Sequence, residues 1–82
     1  MIMNIYAIRD TKSGFLSPTL DVSHEVSRRN FEHAFMVASG ESLFFTHAED
    51  YSLYCLGSYD TESGVITPNV VPEFIMNAPR KE

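Results

Sequence analysis

Several features that would point to particular classes of protein are scarce in this chain. Its 82 residues contain one cysteine, Cys55, which cannot form an internal disulfide. Cys55 lies in an apolar run, which predicts a buried, reduced thiol and a reducing compartment such as the cytoplasm. No apolar stretch approaches the ~20 residues of a membrane-spanning helix, and residues 1–9 lack the pattern of a signal peptide. We therefore expect a cytoplasmic protein without a membrane span.

Basic residues are also few. Six lysines and arginines stand against eleven acidic residues, which leaves a net charge of −5. Because nucleic-acid affinity depends mostly on neutralising phosphates, an acidic chain without a basic cluster is a poor candidate for tight DNA or RNA binding. The bases are scattered as Arg9, Lys12, Arg28, Arg29, Arg80 and Lys81.

The sequence contains no motif that is typical of a catalytic or cofactor-binding site. There is no Gly-rich phosphate loop and no P-loop lysine motif. The histidines and Cys55 show no paired-ligand spacing of the kind found in zinc sites, and the predicted burial of Cys55 would make it inert as a nucleophile. The acidic residues of predicted loops have no deep cleft around them in so small a chain. We therefore expect no metal, no cofactor and no enzymatic activity. The residues considered are His24, His33, His47, Cys55, Glu41, Glu49, Asp50, Asp60 and Glu62.

The composition is that of an ordinary folded domain. The chain is 44% hydrophobic and 21% charged, and its length fits one domain over residues 1–82. A chain this short buries only roughly 60% of the surface that its unfolded form exposes, so its core is marginal unless oligomerisation helps.

Two β-hairpins with the same turn are predicted. The apolar run Ile2–Ile8 precedes Asp-Thr-Lys-Ser-Gly at 10–14, and the run Tyr51–Tyr59 precedes Asp-Thr-Glu-Ser-Gly at 60–64. In each turn the aspartate can accept from nearby backbone N–H groups, while the glycine takes a positive φ. A proline follows each turn and is expected to close a short returning strand. The repeat is explained equally well by internal duplication and by convergent turn chemistry. The predicted turn residues are Asp10, Gly14, Asp60 and Gly64.

One main helix is predicted between the hairpins. Asp21 or Ser23 can cap a helix that runs to about Ala38, where Ser39-Gly40 ends it. Spacing at 100° per residue places Phe31 and Phe35 on one apolar face and the arginines opposite. Residues 72–77 are predicted to form one or two further helical turns. The sequence thus predicts an α+β fold of β-β-α-β-β order, with a four-stranded antiparallel sheet, one main helix on one face and a short C-terminal helical segment.

The first strand is apolar on both faces, yet one helix covers only one of them. The second face must be covered by the C-terminal segment, by another subunit or by a ligand. We expect a homo-oligomer, most simply a two-fold dimer. The predicted interface residues are Ile2, Tyr6, Ile8, Tyr54 and Leu56.

Direct binding of single-stranded DNA is the alternative function. Single-strand binders stack bases on aromatic residues of a sheet beside arginine or lysine, and this sheet carries several tyrosines. The candidate DNA-binding residues are Arg9, Lys12, Arg28, Arg29, Tyr6 and Tyr54.

The second hairpin resembles a known family. Residues 49–60, Glu-Asp-Tyr-Ser-Leu-Tyr-Cys-Leu-Gly-Ser-Tyr-Asp, followed by Ser63-Gly64, are similar to the signature of a small nonstructural protein of gokushoviruses, single-stranded DNA phages of the Microviridae. The opening strand with Arg9-Asp10 and the helix segment 29–31 are similar too. Ala48 stands where the family usually has proline.

This resemblance implies a nonstructural protein that acts in the host bacterial cytoplasm. By analogy with the microvirus protein C, it implies a role in the switch from duplex replication to the production of single-stranded genomes for packaging. It implies no catalytic residues. The expected partners are a phage replication or procapsid protein, with single-stranded DNA as the alternative.

Overall fold

Alternating apolar residues and tight turns produce an antiparallel sheet crossed by one long helix in the computed structural model, which describes residues 1–79. The α+β class and the β-β-α-β-β order of the main elements are confirmed. In chain order the elements are β1 (Ile2–Asp10), β2 (Gly14–Phe15), β3 (Thr19–Asp21), α1 (His24–Met36), α2 (Leu43–Thr46), a short 3-10 helix (Ala48–Asp50), β4 (Tyr51–Asp60) and β5 (Ile66–Asn77).

The strand order across the sheet is β2-β1-β4-β5, and all pairings are antiparallel. The first returning strand is interrupted, because β2 ends at Phe15 and pairing with β1 resumes only in β3. Pro18 lies in this gap, where its missing N–H removes no ladder hydrogen bond. The two central strands, β1 and β4, therefore carry the longest ladder in the sheet.

The two turns are conformationally equivalent, as predicted. Gly14 has φ of 99° and Gly64 has φ of 76°, and both lie in the region that only glycine adopts readily. The Asp10 carboxylate accepts the Lys12 N–H at 2.9 Å, and Asp60 accepts the N–H two residues later at the same 2.9 Å. The backbone N–H donated to Asp60 also lowers the pKa of this carboxyl group.

Helix α1 forms where its cap and its apolar face predict it. The Ser23 hydroxyl accepts the Val26 N–H at 3.2 Å, which satisfies one free donor of the first turn. Ser27, Phe31 and Phe35 face the sheet and are buried. The helix therefore covers one face of the sheet, which is here named the inner face.

The core between α1 and the inner face is largely aromatic. Phe35 is 1% exposed and its ring lies between those of Phe31, Phe44 and Tyr51, with centroid distances of 4.7, 4.3 and 5.6 Å. Phe44 comes from α2, whose first turn is capped by the Ser42 hydroxyl. The α2 segment thus closes one end of the core.

The prediction of a C-terminal helical segment is wrong. Residues 72–77 continue β5, where Phe74 pairs with Tyr54 and Met76 pairs with Leu53. A strand is favoured because its apolar residues meet matching positions on β4, while Pro72 is tolerated on an edge strand. The short helical piece of this fold is α2, which precedes β4 instead of following β5.

Strand β5 also contains an irregular stretch. Gly57 pairs with Pro68 and Cys55 pairs with Glu73, so β5 places more residues than β4 between these two pairs. Asn69 holds the stretch to β4, because its side-chain amide donates to the Cys55 carbonyl at 3.1 Å. The pairing of β4 with β5 after this stretch, from the Cys55–Glu73 pair onward, therefore determines which β5 residues face each side of the sheet.

Candidate functional site

The two faces of the sheet differ in what covers them. Tyr6 and Ile8 of β1 point toward α1, together with Leu53 and Cys55 of β4. Side chains alternate along a strand, so Ile5, Ala7, Arg9 and Tyr54 belong to the opposite side, here named the outer face. Residues 70–79 do not fold back over this side, because they lengthen or follow the edge strand. No element among residues 1–79 crosses the outer face.

Three aromatic side chains line up across the outer face. The Tyr54 ring meets Phe15 at a centroid distance of 5.5 Å and Phe74 at 5.7 Å, both in edge-to-face contact. This aromatic row runs across β2, β4 and β5. Arg9 pairs with Phe15 in the ladder, is exposed and forms no ion pair with another described residue. The row is thus a large apolar surface with one cation beside it.

The other end of the outer face carries an apolar groove. Ile5 pairs with Leu20, and Tyr59 pairs with Ile66, so four apolar side chains lie on adjoining strands. They line an open groove of about 390 Å³ together with Pro18 and Thr19. The aromatic row and this groove therefore make the outer face apolar over most of its length.

The candidate DNA-binding residues do not form one site. Arg9 and Tyr54 lie on the outer face, and Lys12 lies in the adjoining turn. Arg28 and Arg29 lie on the exposed side of α1, which the sheet separates from the outer face. Tyr6 is wholly buried and cannot stack on a base, which corrects that part of the prediction. The prediction missed Phe15, which lies in a predicted strand, and Phe74, because residues 72–77 were predicted to be helical and not part of the sheet.

The predicted interface set is also divided between the faces. Tyr6 and Ile8 pack against the core below α1, so they cannot contact a second subunit across the uncovered side. Tyr54 lies on the outer face, and Leu56 is half-buried at an irregularity of β4. Ile2 is exposed at the start of β1. The predicted set therefore mixes residues of both faces, with Tyr6 and Ile8 on the inner face and Tyr54 on the outer face.

A polar cluster that sequence spacing did not predict lies on the inner face. His24, Cys55 and Glu73 each offer a nitrogen, sulfur or oxygen atom, and these atoms lie within 4.8 Å of one another. Cys55 is buried, as predicted, whereas His24 and Glu73 reach solvent. The cluster escapes sequence analysis because the Cys55–Glu73 pairing depends on the irregular stretch of β5.

Two buried tyrosines have altered acidity. Burial raises the pKa of Tyr6, and nearby Cys55, Asp21 and Glu73 raise it further, whereas the hydrogen bond from Asn4 acts in the opposite direction. Burial also raises the pKa of Tyr51, with smaller contributions from neighbouring aspartates. Both hydroxyl groups therefore stay protonated at neutral pH.

Comparison with known proteins gives a family. The sequence profile of one family, described as Phage ORF5 protein, matches residues 3–80 of this chain. The chain belongs to this family. The Phage ORF5 assignment supports the predicted bacteriophage origin, whereas the finer resemblance to gokushovirus proteins goes beyond what the match shows. No curated protein and no solved structure matches the chain significantly. No helix within residues 1–79 is long and apolar enough to span a membrane.

Proposed function

We propose that this Phage ORF5 protein is a non-catalytic factor of phage DNA replication and packaging that works as a homodimer in the host cytoplasm. The dimer forms between the outer faces of two copies and presents their helices to a phage replication or procapsid protein. The resemblance of residues 49–64 to gokushovirus nonstructural proteins supports a role in the switch to single-stranded genome production.

The uncovered outer face is the observation that carries this proposal. Phe15 and Phe74 are 44% and 52% exposed, and Leu20 and Ile66 are 43% and 62% exposed. With 150–250 Å² for each aromatic side chain, the two phenylalanines alone expose about 200 Å² of apolar surface. The aliphatic residues bring the total to about 400 Å², which approaches the apolar part of a standard interface of about 800 Å² per partner.

A second copy fits this face better than a charged ligand does. Interface cores contain many aromatic residues and few charged ones. The outer face has this character, because its strands are apolar or uncharged there apart from Arg9. Two twisted sheets can pack face to face with their strands roughly aligned. Dimerisation would also add buried apolar surface to the small core that a chain of 82 residues can form alone.

Light scattering after size exclusion tests the dimer. We expect a mass of twice 9.3 kDa at micromolar concentration for the native chain. Phe74→Thr should shift the mass toward the monomer, because it removes the end of the aromatic row while keeping a strand-forming residue. Val37→Thr, on an exposed residue beyond α1, is the matched control and should stay dimeric. A mass of 9.3 kDa for the native chain at every dilution would contradict the dimer.

The role in infection is tested with the same variants. Cells infected with phage that carries Phe74→Thr should accumulate duplex viral DNA but yield less single-stranded genome than cells with Val37→Thr. A fivefold drop in the ratio of single-stranded to duplex DNA is the expected order of effect. An unchanged ratio with a monomeric Phe74→Thr protein would contradict the proposed role in infection, even if the native protein is a dimer.

The aromatic row beside Arg9 favours one second candidate, direct binding of single-stranded DNA. Base stacking on aromatic residues contributes about 1–3 kcal/mol per base, and this row offers three rings across the sheet. The two functions compete, because a face buried in a dimer cannot stack bases. Titration with a labelled oligonucleotide at two salt concentrations separates them. Binding tighter than about 10⁻⁶ M with a steep salt slope, lost in Phe74→Thr, would favour DNA over the dimer.

A further inference from the structure

The polar cluster on the inner face brings three metal-binding side chains together from three elements. His24 is the first residue of α1, Cys55 lies in the middle of β4 and Glu73 lies on the edge strand β5. The ligand atoms of all three lie within 4.8 Å of one another, and His24 Nε2 is 3.6 Å from a Glu73 carboxylate oxygen. Cys55 is the buried member of the cluster, and its Sγ lies 3.6 Å from the Gly57 carbonyl oxygen.

The His24 ring is already oriented for ligation. Its Nδ1 is hydrogen bonded to the hydroxyl of the buried Tyr6, which in turn accepts the Asn4 side-chain amide at 3.1 Å. The other ring nitrogen, Nε2, lies 3.6 Å from a Glu73 carboxylate oxygen. Metal-binding histidines almost always use their second nitrogen in such a hydrogen bond, because it fixes the ring orientation and the tautomer.

We infer that His24, Cys55 and Glu73 form a site for one zinc-like divalent ion. Thiolate, imidazole and carboxylate are the three ligand types that zinc binds in proteins. Binding forms a bond from the metal to Cys55 Sγ and breaks the S–H bond, so one proton is released to solvent. The thiolate and the Glu73 carboxylate then balance the two positive charges of the ion, and His24 binds as neutral imidazole. Water takes the fourth position.

The distances fit this assignment with small movements. Zinc lies about 2.3 Å from sulfur and about 2.0–2.2 Å from nitrogen or oxygen, so neighbouring ligand atoms in a tetrahedral site are separated by roughly 3.5 Å. The side chains of His24 and Glu73 are 42% and 56% exposed, so both have room to move toward the ion, and the ion can enter from solvent. The site would join the start of α1, the central strand and the edge strand.

Titration of the chelator-treated protein with Co²⁺ tests the site, because cobalt bound to thiolate absorbs strongly in the near ultraviolet. We expect one equivalent to bind with thiolate absorption, about one proton to be released per ion, and Zn²⁺ to displace the cobalt. Glu73→Gln and His24→Gln should each weaken binding at least tenfold. Both side chains are partly exposed, so these variants should fold, whereas Cys55→Ala changes a buried residue and is judged only if its circular dichroism is native.

His33→Gln is the matched control, because His33 is an exposed histidine of the same helix outside the cluster. It should bind Co²⁺ like the native chain. The inference is overturned if cobalt binds without thiolate absorption, or if Glu73→Gln and His24→Gln bind as tightly as His33→Gln. These outcomes do not depend on the oligomeric state or on the role in infection.

Discussion

The four glycines of the chain allow one chemical change, glycine to alanine, to be tested in three different environments. Gly57 lies where β5 crosses close to β4. A Cβ atom at Gly57 would lie 2.4 Å from the Thr67 carbonyl oxygen and 2.8 Å from the Pro68 Cα. Gly14 and Gly64 have open space around them but positive φ, and Gly40 has open space without a positive φ. Alanine would therefore force the backbone to shift at Gly57, would be strained at the two turns and would fit without strain at Gly40.

These environments predict how much each substitution changes the free energy of unfolding. Gly57→Ala should lower the free energy of unfolding by about 3 kcal/mol, at the upper end of overpacking costs, because both contacts are with backbone that cannot rotate away. Gly14→Ala and Gly64→Ala should each cost about 1–2 kcal/mol, the penalty of a left-handed conformation for an L-residue. Gly40→Ala should be neutral or stabilise by up to about 1 kcal/mol through the unfolded state. The whole domain has only about 4–12 kcal/mol on the usual scale per residue.

Urea unfolding followed by circular dichroism measures the series, with all variants at one protein concentration because dimerisation would link stability to concentration. Gly40→Ala is the matched control. The reasoning is refuted if Gly57→Ala is no more costly than Gly40→Ala. Costs for Gly14→Ala and Gly64→Ala that differ by more than about 1 kcal/mol would show that the two turns are not energetically equivalent.

Three further predictions address the core, the helix cap and pH. Phe35→Leu should lower the free energy of unfolding by about 2–4 kcal/mol, because it leaves a cavity among three aromatic rings, and urea unfolding checks this. Ser23→Ala should cost about 1 kcal/mol by removing the α1 cap, while exposed Ser39→Ala should change nothing in the same assay. The raised pKa values of Tyr6 and Tyr51 favour the protonated folded state, so stability should hold below the ordinary tyrosine pKa of about 10 and fall as pH rises above it. Alkaline titration by tyrosine absorbance should show Tyr6 and Tyr51 ionising only together with unfolding; ionisation in the native fold would contradict this.

Local patterns predicted most of the fold because each depends on a few neighbouring residues. The Ser23 cap, the Phe31–Phe35 seam and the two aspartate–glycine turns follow from hydrogen bonding and φ preferences within about four residues. The prediction for the C-terminal segment failed because its structure depends on residues that are distant in sequence. Residues 72–77 follow a proline and suit a helical turn locally, but pairing with β4 stabilises them as a strand.

The candidate site was harder to predict because it depends on which side of the sheet the helix covers. Strand β1 is apolar on both sides, so its alternation cannot tell Tyr6 from Ile5 or Ala7. Only packing of α1 assigns Tyr6 to the core and leaves the outer face open. The polar cluster was beyond sequence reasoning as well, because Cys55 and Glu73 meet only through a pairing that follows an irregular stretch of β5.

The two proposed sites are connected through one peptide unit of β5. Glu73 belongs to the polar cluster on the inner face, and the next residue, Phe74, belongs to the aromatic row on the outer face. Successive residues of a strand point to opposite faces, so an ion that fixes Glu73 against Cys55 would also fix the position of Phe74 beside Tyr54. Because Phe74 lies at the edge of the proposed dimer surface, metal binding should tighten the dimer. A dissociation constant that falls on adding Zn²⁺ to the native chain, but not to Glu73→Gln, would demonstrate this coupling, and an equal response of both proteins would exclude it.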